Sequence, residues 1–183
     1  YMRFSGNEQY TEYEMEIINN LHKKVLDYSL NLPHDKDSFD KKLIILRHSN
    51  SSSNTTRKRE VINYNEIYEL TQKYGFGELI TINKTLFEVA QRINYAEEII
   101  IDNGAGCINL FFCQDKAKLI LINGLCFVKY NFIHFNHFMC SSKHIDRKNK
   151  FIITKKNPDN LLEYGDWNFD NDMKEELIKY III

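Results

Sequence analysis

The chain has no C-x-x-C pair, no surplus of positive charge and no apolar run near the roughly 20 residues that a membrane-crossing helix needs. Each absence excludes a class of function. Twenty-four Lys and Arg stand against 25 Asp and Glu, a formal net charge of −1. That balance provides no general basic field to draw the chain to nucleic acid. The first residues, Tyr1-Met2-Arg3-Phe4, lack the apolar core of a secretory signal. Cys107, Cys113, Cys126 and Cys140 all sit in apolar company and read as reduced, buried thiols of a cytoplasmic protein. No G-x-x-x-x-G-K-[ST] loop and no G-x-G-x-x-G follows a strand pattern, which weakens ATPase and NAD-binding readings. No serine sits in a nucleophile elbow, so a Ser/His/Asp triad has no support. There is no internal repeat.

What is present is an ordinary composition for a soluble domain: 183 residues, 43% hydrophobic and 27% charged. Its 11 Tyr and 12 Phe are interleaved with Asn and Ile, as in a core or on a sheet face. Thr11 to Leu30 reads as an amphipathic helix with Tyr13, Ile17, Leu21, Val25 and Tyr28 on its inner face. Pro33 stops it. Leu43-Ile44-Ile45-Leu46 is a buried strand ending at Arg47, followed by a Ser/Asn-rich loop from His48 to Thr56. A helix is expected over Val61 to Tyr74, with Asn63 near its start and Gly75 ending it. Then come a strand at Leu79–Ile82, a helix from Thr85 to Asn94 and strands at Glu98–Ile101 and Leu119–Ile122. Asn83 or Thr85 could cap that helix. Phe127 to Met139 reads as strand, loop and strand, and Phe151–Thr154 as a last strand. Asp170 or Asn171 caps a final helix over Met173–Ile182. Strands alternating with helices predict an α/β fold, a Rossmann-like three-layer sandwich with a mainly parallel sheet. Residues 1–40 form a helix and linker packed on a domain spanning 41–183.

The most informative stretch is Ile99-Ile100-Ile101-Asp102-Asn103-Gly104-Ala105-Gly106-Cys107-Ile108-Asn109-Leu110. A β-branched run ends in a glycine-bracketed turn and resumes as an apolar segment, the pattern of a buried parallel strand feeding a helix. Gly104 and Gly106 then stand at the strand's carboxyl end, where open α/β sheets bind ligands. Main-chain amides at the helix start can hold an anion there. Arg47 and Arg57-Lys58-Arg59, ahead of Asn63, fall on the same predicted edge, and a guanidinium fork suits paired diphosphate oxygens. Asp35-Lys36-Asp37 and Asp170-Asn171-Asp172 match a metal-holding D-x-D only in polar loops. His134, His137 and His144 lie in an aromatic segment without a zinc pattern. No metal is expected.

The order of these pieces resembles glycosyltransferase family 61 over roughly Lys41 to Ile122. The resemblance is carried by Leu43-Ile44-Ile45-Leu46-Arg47, by Arg59-Glu60-Val61-Ile62-Asn63 and by Tyr74-Gly75-Phe76. Leu86-Phe87-Glu88, Ala96 and Gly104-Ala105-Gly106-Cys107-Ile108-Asn109-Leu110-Phe111 continue it. The resemblance implies a GT-B glycosyltransferase whose carboxyl-terminal half binds a nucleotide-sugar donor, without a D-x-D metal or any cofactor. It implies Arg47, Arg59 and Asn63 near the diphosphate, a backbone approach at Gly104 and Ala105, and Asn109 in the helix beneath. Asn103 stands where the family has His, and Ile122-Asn123 where it often has Glu. The expected product is a polysaccharide or glycoconjugate. The glycan acceptor site and the catalytic base are expected on an amino-terminal half, in a longer chain or in a partner. Two other readings are a non-catalytic nucleotide- or protein-binding module of this fold, and a pyruvyl- or phosphotransferase of sugar metabolism.

Overall fold

A computed structural model of the chain describes residues 12–35, 38–47, 60–102, 105–123, 150–154 and 167–183. Five strands form one sheet: β1 (Lys42–Ile45), β2 (Gly77–Glu78), β3 (Glu98–Asp102), β4 (Lys118–Asn123) and β5 (Lys150–Thr154). Their spatial order is β2-β1-β3-β4-β5, and every pairing is parallel. The helices are α1 (Glu12–Asn31), α2 (Tyr64–Gln72), α3 (Leu86–Tyr95) and α4 (Asn171–Ile182), with a 3-10 helix at Ala105–Phe112.

Alternate residues of the central strands divide the core into two faces, as a period of two requires. Leu43, Ile45, Ile99, Ile101, Leu119 and Leu121 face α3 and the 3-10 helix, with Val25 and Leu26 of α1 packed against them. Ile44, Ile100, Ile120, Ile122 and Ile153 face the other way, toward Ile67 of α2 and Met173, Leu177 and Ile181 of α4. The result is the three-layer α/β sandwich expected from the sequence. The chain steps from β1 out to β2 by way of α2 on one face. It returns to β3 by way of α3 on the other, a change of face with direction that right-handed crossovers demand.

Local chemistry fixes the helix ends. Thr85 accepts the Glu88 N–H at 3.2 Å while the Glu88 carboxylate accepts the Thr85 N–H at 2.7 Å, a capping box that starts α3. Those bonds hold the Glu88 carboxyl below its ordinary range. Asp170 caps α4 by accepting from the Met173 N–H at 3.0 Å. Gly75, at φ +83, closes α2 in a Schellman motif: its N–H reaches the Gln72 carbonyl and the Phe76 N–H reaches that of Thr71. At the amino edge of the sheet Lys42, Glu98 and Lys118 stand in register across three strands. Glu98 lies 2.7 Å from the Lys42 ammonium and 3.5 Å from that of Lys118.

Three elements depart from the sequence expectation. The strand expected at Leu79–Ile82 is displaced to Gly77–Glu78. Leu79 still donates to the Ile44 carbonyl at 3.0 Å, but the chain then turns, with Asn83 at φ 63. The helix expected from Val61 begins only at Tyr64, because Val61 forms a parallel bridge with Trp167. In α1 the expected inner face is largely outside. The helix seats through His22, stacked on Phe111 at 4.1 Å, and through Val25, Leu26 and the fully buried Ser29. Gln91 of α3 donates to the Ser29 carbonyl at 2.6 Å, which draws this narrow side of α1 onto the domain. Burial lowers the pKa of His22 below its ordinary value. The segment Phe127–Met139 lies outside the described residues.

Candidate functional site

The reversal of strand order falls between β1 and β3, and doubly wound sheets bind ligands outside the carboxyl ends of the strands at such a point. Arg47 stands at that edge, two residues past β1. Its main chain is fixed on both sides: its N–H donates to Asp102 Oδ2 at 3.3 Å, and its carbonyl accepts the Val61 N–H at 2.9 Å. Asp102 is the last residue of β3, so one carboxylate joins the ends of the two strands that flank the reversal. The second bond brings the approach to α2 to the same edge.

The helix expected after the glycine-bracketed turn begins already at Ala105, so that Gly106 lies inside it, and it is a 3-10 rather than an α-helix. Its eight residues exceed the usual length of about 3–4 for such helices. The reason lies in spacing. Cys107, Leu110 and Cys113 recur every third residue, and all three are buried on the core side. The Cys107 thiol donates to the Asp102 carbonyl at 3.2 Å, tying the helix to the end of β3. Gly106 and Asn109 are partly exposed and Ile108 half-exposed. A Cβ built on Gly106 meets nothing within 4 Å, and its φ is not positive. Among the described residues, neither packing nor backbone geometry therefore requires glycine at 106.

Asn63 precedes α2, but its side chain does not cap the helix. Its carboxamide clamps a distant segment instead. Oδ1 accepts the Phe169 N–H at 2.9 Å, and Nδ2 donates to the Phe169 carbonyl at 3.0 Å and to Glu66 at 3.3 Å. Ile62 N–H to the Trp167 carbonyl and Trp167 N–H to the Glu60 carbonyl, both 2.9 Å, extend this strap between the starts of α2 and α4. Lys174 of α4 lies 2.6 Å from Glu66, and with the Asn63 amide it keeps that carboxyl below its ordinary pKa. Asn63→Ala, which leaves the Phe169 amide without its partner, is expected to cost about 1–3 kcal/mol in urea unfolding. Asn63→Asp, which keeps only the acceptor, is expected to fall between.

Of the expected site residues, Arg47, Asn63, Ala105, Gly106 and Asn109 are among the described residues. The Val61 N–H to the Arg47 carbonyl brings the segment that leads into Asn63 to the Arg47 edge, and the 3-10 helix begins at Ala105, three residues past the last residue of β3. Arg59, Asn103 and Gly104 lie outside the described residues, as do Arg57, Lys58, Cys126, Cys140, His134, His137 and His144. Cys107 and Cys113 are buried thiols. Asp170 serves as the α4 cap, and Lys36 and Asp37 are not described. Among the described residues no group of three His, Cys, Asp or Glu side chains is placed to hold a metal ion. No described helix is long and apolar enough to cross a membrane. Sequence reasoning missed two parts of the site: Asp102 as the link between strands, signalled only by an acid ending an Ile run, and the Trp167–Phe169 strap, which carries no local signal.

No curated protein sequence matches the chain. The sequence model of the family glycosyltransferase 61 does, over residues 4–120, more than half of the 183. That span holds α1, the three strands β1 to β3, the Arg47–Asp102 link and the 3-10 helix, and the chain belongs to glycosyltransferase family 61.

Proposed function

We propose that this chain is the donor-binding part of a GT-B enzyme that transfers a sugar from a nucleotide-sugar to a glycan or glycoconjugate acceptor. The observation that supports it is the bond from the Arg47 main-chain N–H to the Asp102 carboxylate at the point where strand order reverses. The donor's diphosphate lies at this edge. An acceptor hydroxyl attacks the sugar's anomeric carbon, the bond to the diphosphate oxygen breaks, and the nucleoside diphosphate leaves. The guanidiniums of Arg47 and Arg59 and the amides that open the 3-10 helix stabilise the charge that grows on it. Asn103, Gly104, Ala105 and Gly106 form the backbone surface that the donor approaches. Asn109 supports it from the helix, and Asn63 holds the approach to α2 in place. This division of labour calls for no cofactor and no metal. The acceptor site and the base that deprotonates the hydroxyl reside on an amino-terminal half, in a longer chain or a partner. The setting is cytoplasmic assembly of a polysaccharide or glycoconjugate.

A second reading, a module that binds a nucleotide without turnover, is favoured by Asn103, which hydrogen-bonds as the family's His does but does not titrate. Both readings require nucleotide binding. In a thermal-shift screen of nucleoside diphosphates and their sugars, a cognate ligand at a hundred times its Kd adds about 2.7 kcal/mol of stability. Gly106→Ala is expected to leave the unliganded melting temperature unchanged and to shrink the ligand-induced shift, because its methyl group occupies only the open side. No shift with any nucleoside diphosphate overturns both readings. Binding without transfer to any acceptor, tested with the amino-terminal half present, favours the second.

A further inference from the structure

We propose that the Asp102 carboxylate sets this edge against the nucleoside diphosphate product and in favour of the nucleotide-sugar donor. The inference rests on the donor reading above and names the residue that discriminates between the two ligands. Arg47 and the expected Arg59 bring positive charge to the carboxyl ends of the strands, yet β3 ends there in an acid. Asp102 is partly exposed and pairs with Ile122 of β4, one step beyond the β1 ladder, whose last pair is Ile45 with Ile101. Its Oδ2 accepts the Arg47 main-chain N–H at 3.3 Å. That bond does not call for a charge, since an amide or hydroxyl oxygen also accepts an N–H. What the charge changes is the field felt by an anion at the edge. When the Arg47 guanidinium holds the diphosphate, one arginine side chain and the hydrogen bonds at its two ends are the most that separates diphosphate from carboxylate.

The two ligands differ in charge. In the transfer the acceptor oxygen bonds to the anomeric carbon and its proton goes to the base, while the electron pair of the broken bond stays on the diphosphate oxygen. A doubly charged diester thereby becomes a diphosphate that is about triply charged above the second phosphate pKa of about 6. At about 10 Å in water-like surroundings, each unit of ligand charge facing a carboxylate lowers affinity about twofold. The carboxylate therefore weakens donor binding about fourfold and product binding about eightfold. Product release limits turnover in many enzymes, and an acid placed here loosens the product more than the donor.

Titration calorimetry of the full chain at about pH 8 and about 10 mM salt, where the Debye length is about 30 Å, tests this. The probes are uridine and guanosine diphosphates, each beside its glucose ester. Asp102→Asn keeps an acceptor for the Arg47 N–H, and it is expected to bind the diphosphate about eightfold and the ester about fourfold more tightly than the unsubstituted chain. Asp102→Ser, also neutral and an acceptor, is expected to do the same and replaces it should the asparagine variant not fold. Both gains are expected to shrink at about 0.15 M salt, where the Debye length falls to about 8 Å. Neutral variants that bind the diphosphate no tighter overturn the proposal, as does an equal gain for diphosphate and ester. Either result, with binding by the unsubstituted chain intact, leaves the donor reading standing. No binding of any of the four ligands, by the unsubstituted chain or the variants, overturns the donor reading and this proposal together.

Discussion

Arg47→Ala is expected to weaken nucleoside diphosphate binding about tenfold to a hundredfold, the equivalent of one charge-assisted hydrogen bond of about 1.5–3 kcal/mol. The substitution is clean because, among the described residues, the contacts that position the residue are made by its main chain. The N–H to Asp102 and the carbonyl from Val61 survive in alanine, so the edge keeps its shape and only the guanidinium is lost. Lysine at 47 restores charge but not the planar fork, and recovery is expected to be partial. Titration calorimetry against a nucleoside diphosphate measures both variants, with a thermal melt of the unliganded protein as the control. Unchanged affinity removes Arg47 from the site whatever the fate of the family assignment.

The largest stability effect is expected at Ile100. It is fully buried at the centre of β3, in register between Ile44 of β1 and Ile120 of β4, on the face covered by α2 and α4. Ile100→Ala removes three carbons where strands on both sides and helices above prevent collapse into the space. A loss of about 2–5 kcal/mol is expected, and Ile100→Val, one carbon smaller, about 0.5–1.5 kcal/mol. Urea unfolding followed by circular dichroism checks both, with the midpoint falling at constant slope. A loss near that of the valine variant for alanine shows that this interior relaxes more than its burial implies.

Much of the frame was legible because buried parallel strands advertise themselves. Leu43–Leu46, Glu98–Ile101, Leu119–Ile122 and Phe151–Thr154 are β-branched or aliphatic runs, and each falls on an observed strand within a residue or two at its ends. Thr85 with Glu88, and Asp170, announced their helices by the chemistry of the cap. What failed depended on distant partners. In α1 two apolar stripes share one helix, Ile17–Leu21–Tyr28 beside Val25–Leu26, and periodicity has no means to choose between them. Contact with Gln91 and Phe111 chose the narrower side. Leu79 is buried as expected, but Ile80 and Ile82 are only partly so, and the ladder with β1 is made two residues earlier by Gly77 and Glu78, where an apolar pattern gives no sign. For the site, the position of Arg47 just past the end of β1 could be read from the strand run alone. The two-way grip of Asn63 on Phe169 could not, since 106 positions separate them.

That grip bears on where this protein can be cut. The family match closes at residue 120, inside β4, and a piece excised there loses β5, α4 and the Trp167–Phe169 strap together. Ile44, Ile100, Ile67 and Tyr64, all covered in the intact chain, then face water on the side that α4 and the strap complete. The portion recognisable by descent and the portion able to stand as a folded body have different boundaries. The tail beyond the match is the lid of its hydrophobic interior, and a protease or an engineer who separates the two is left with a sticky half-sheet.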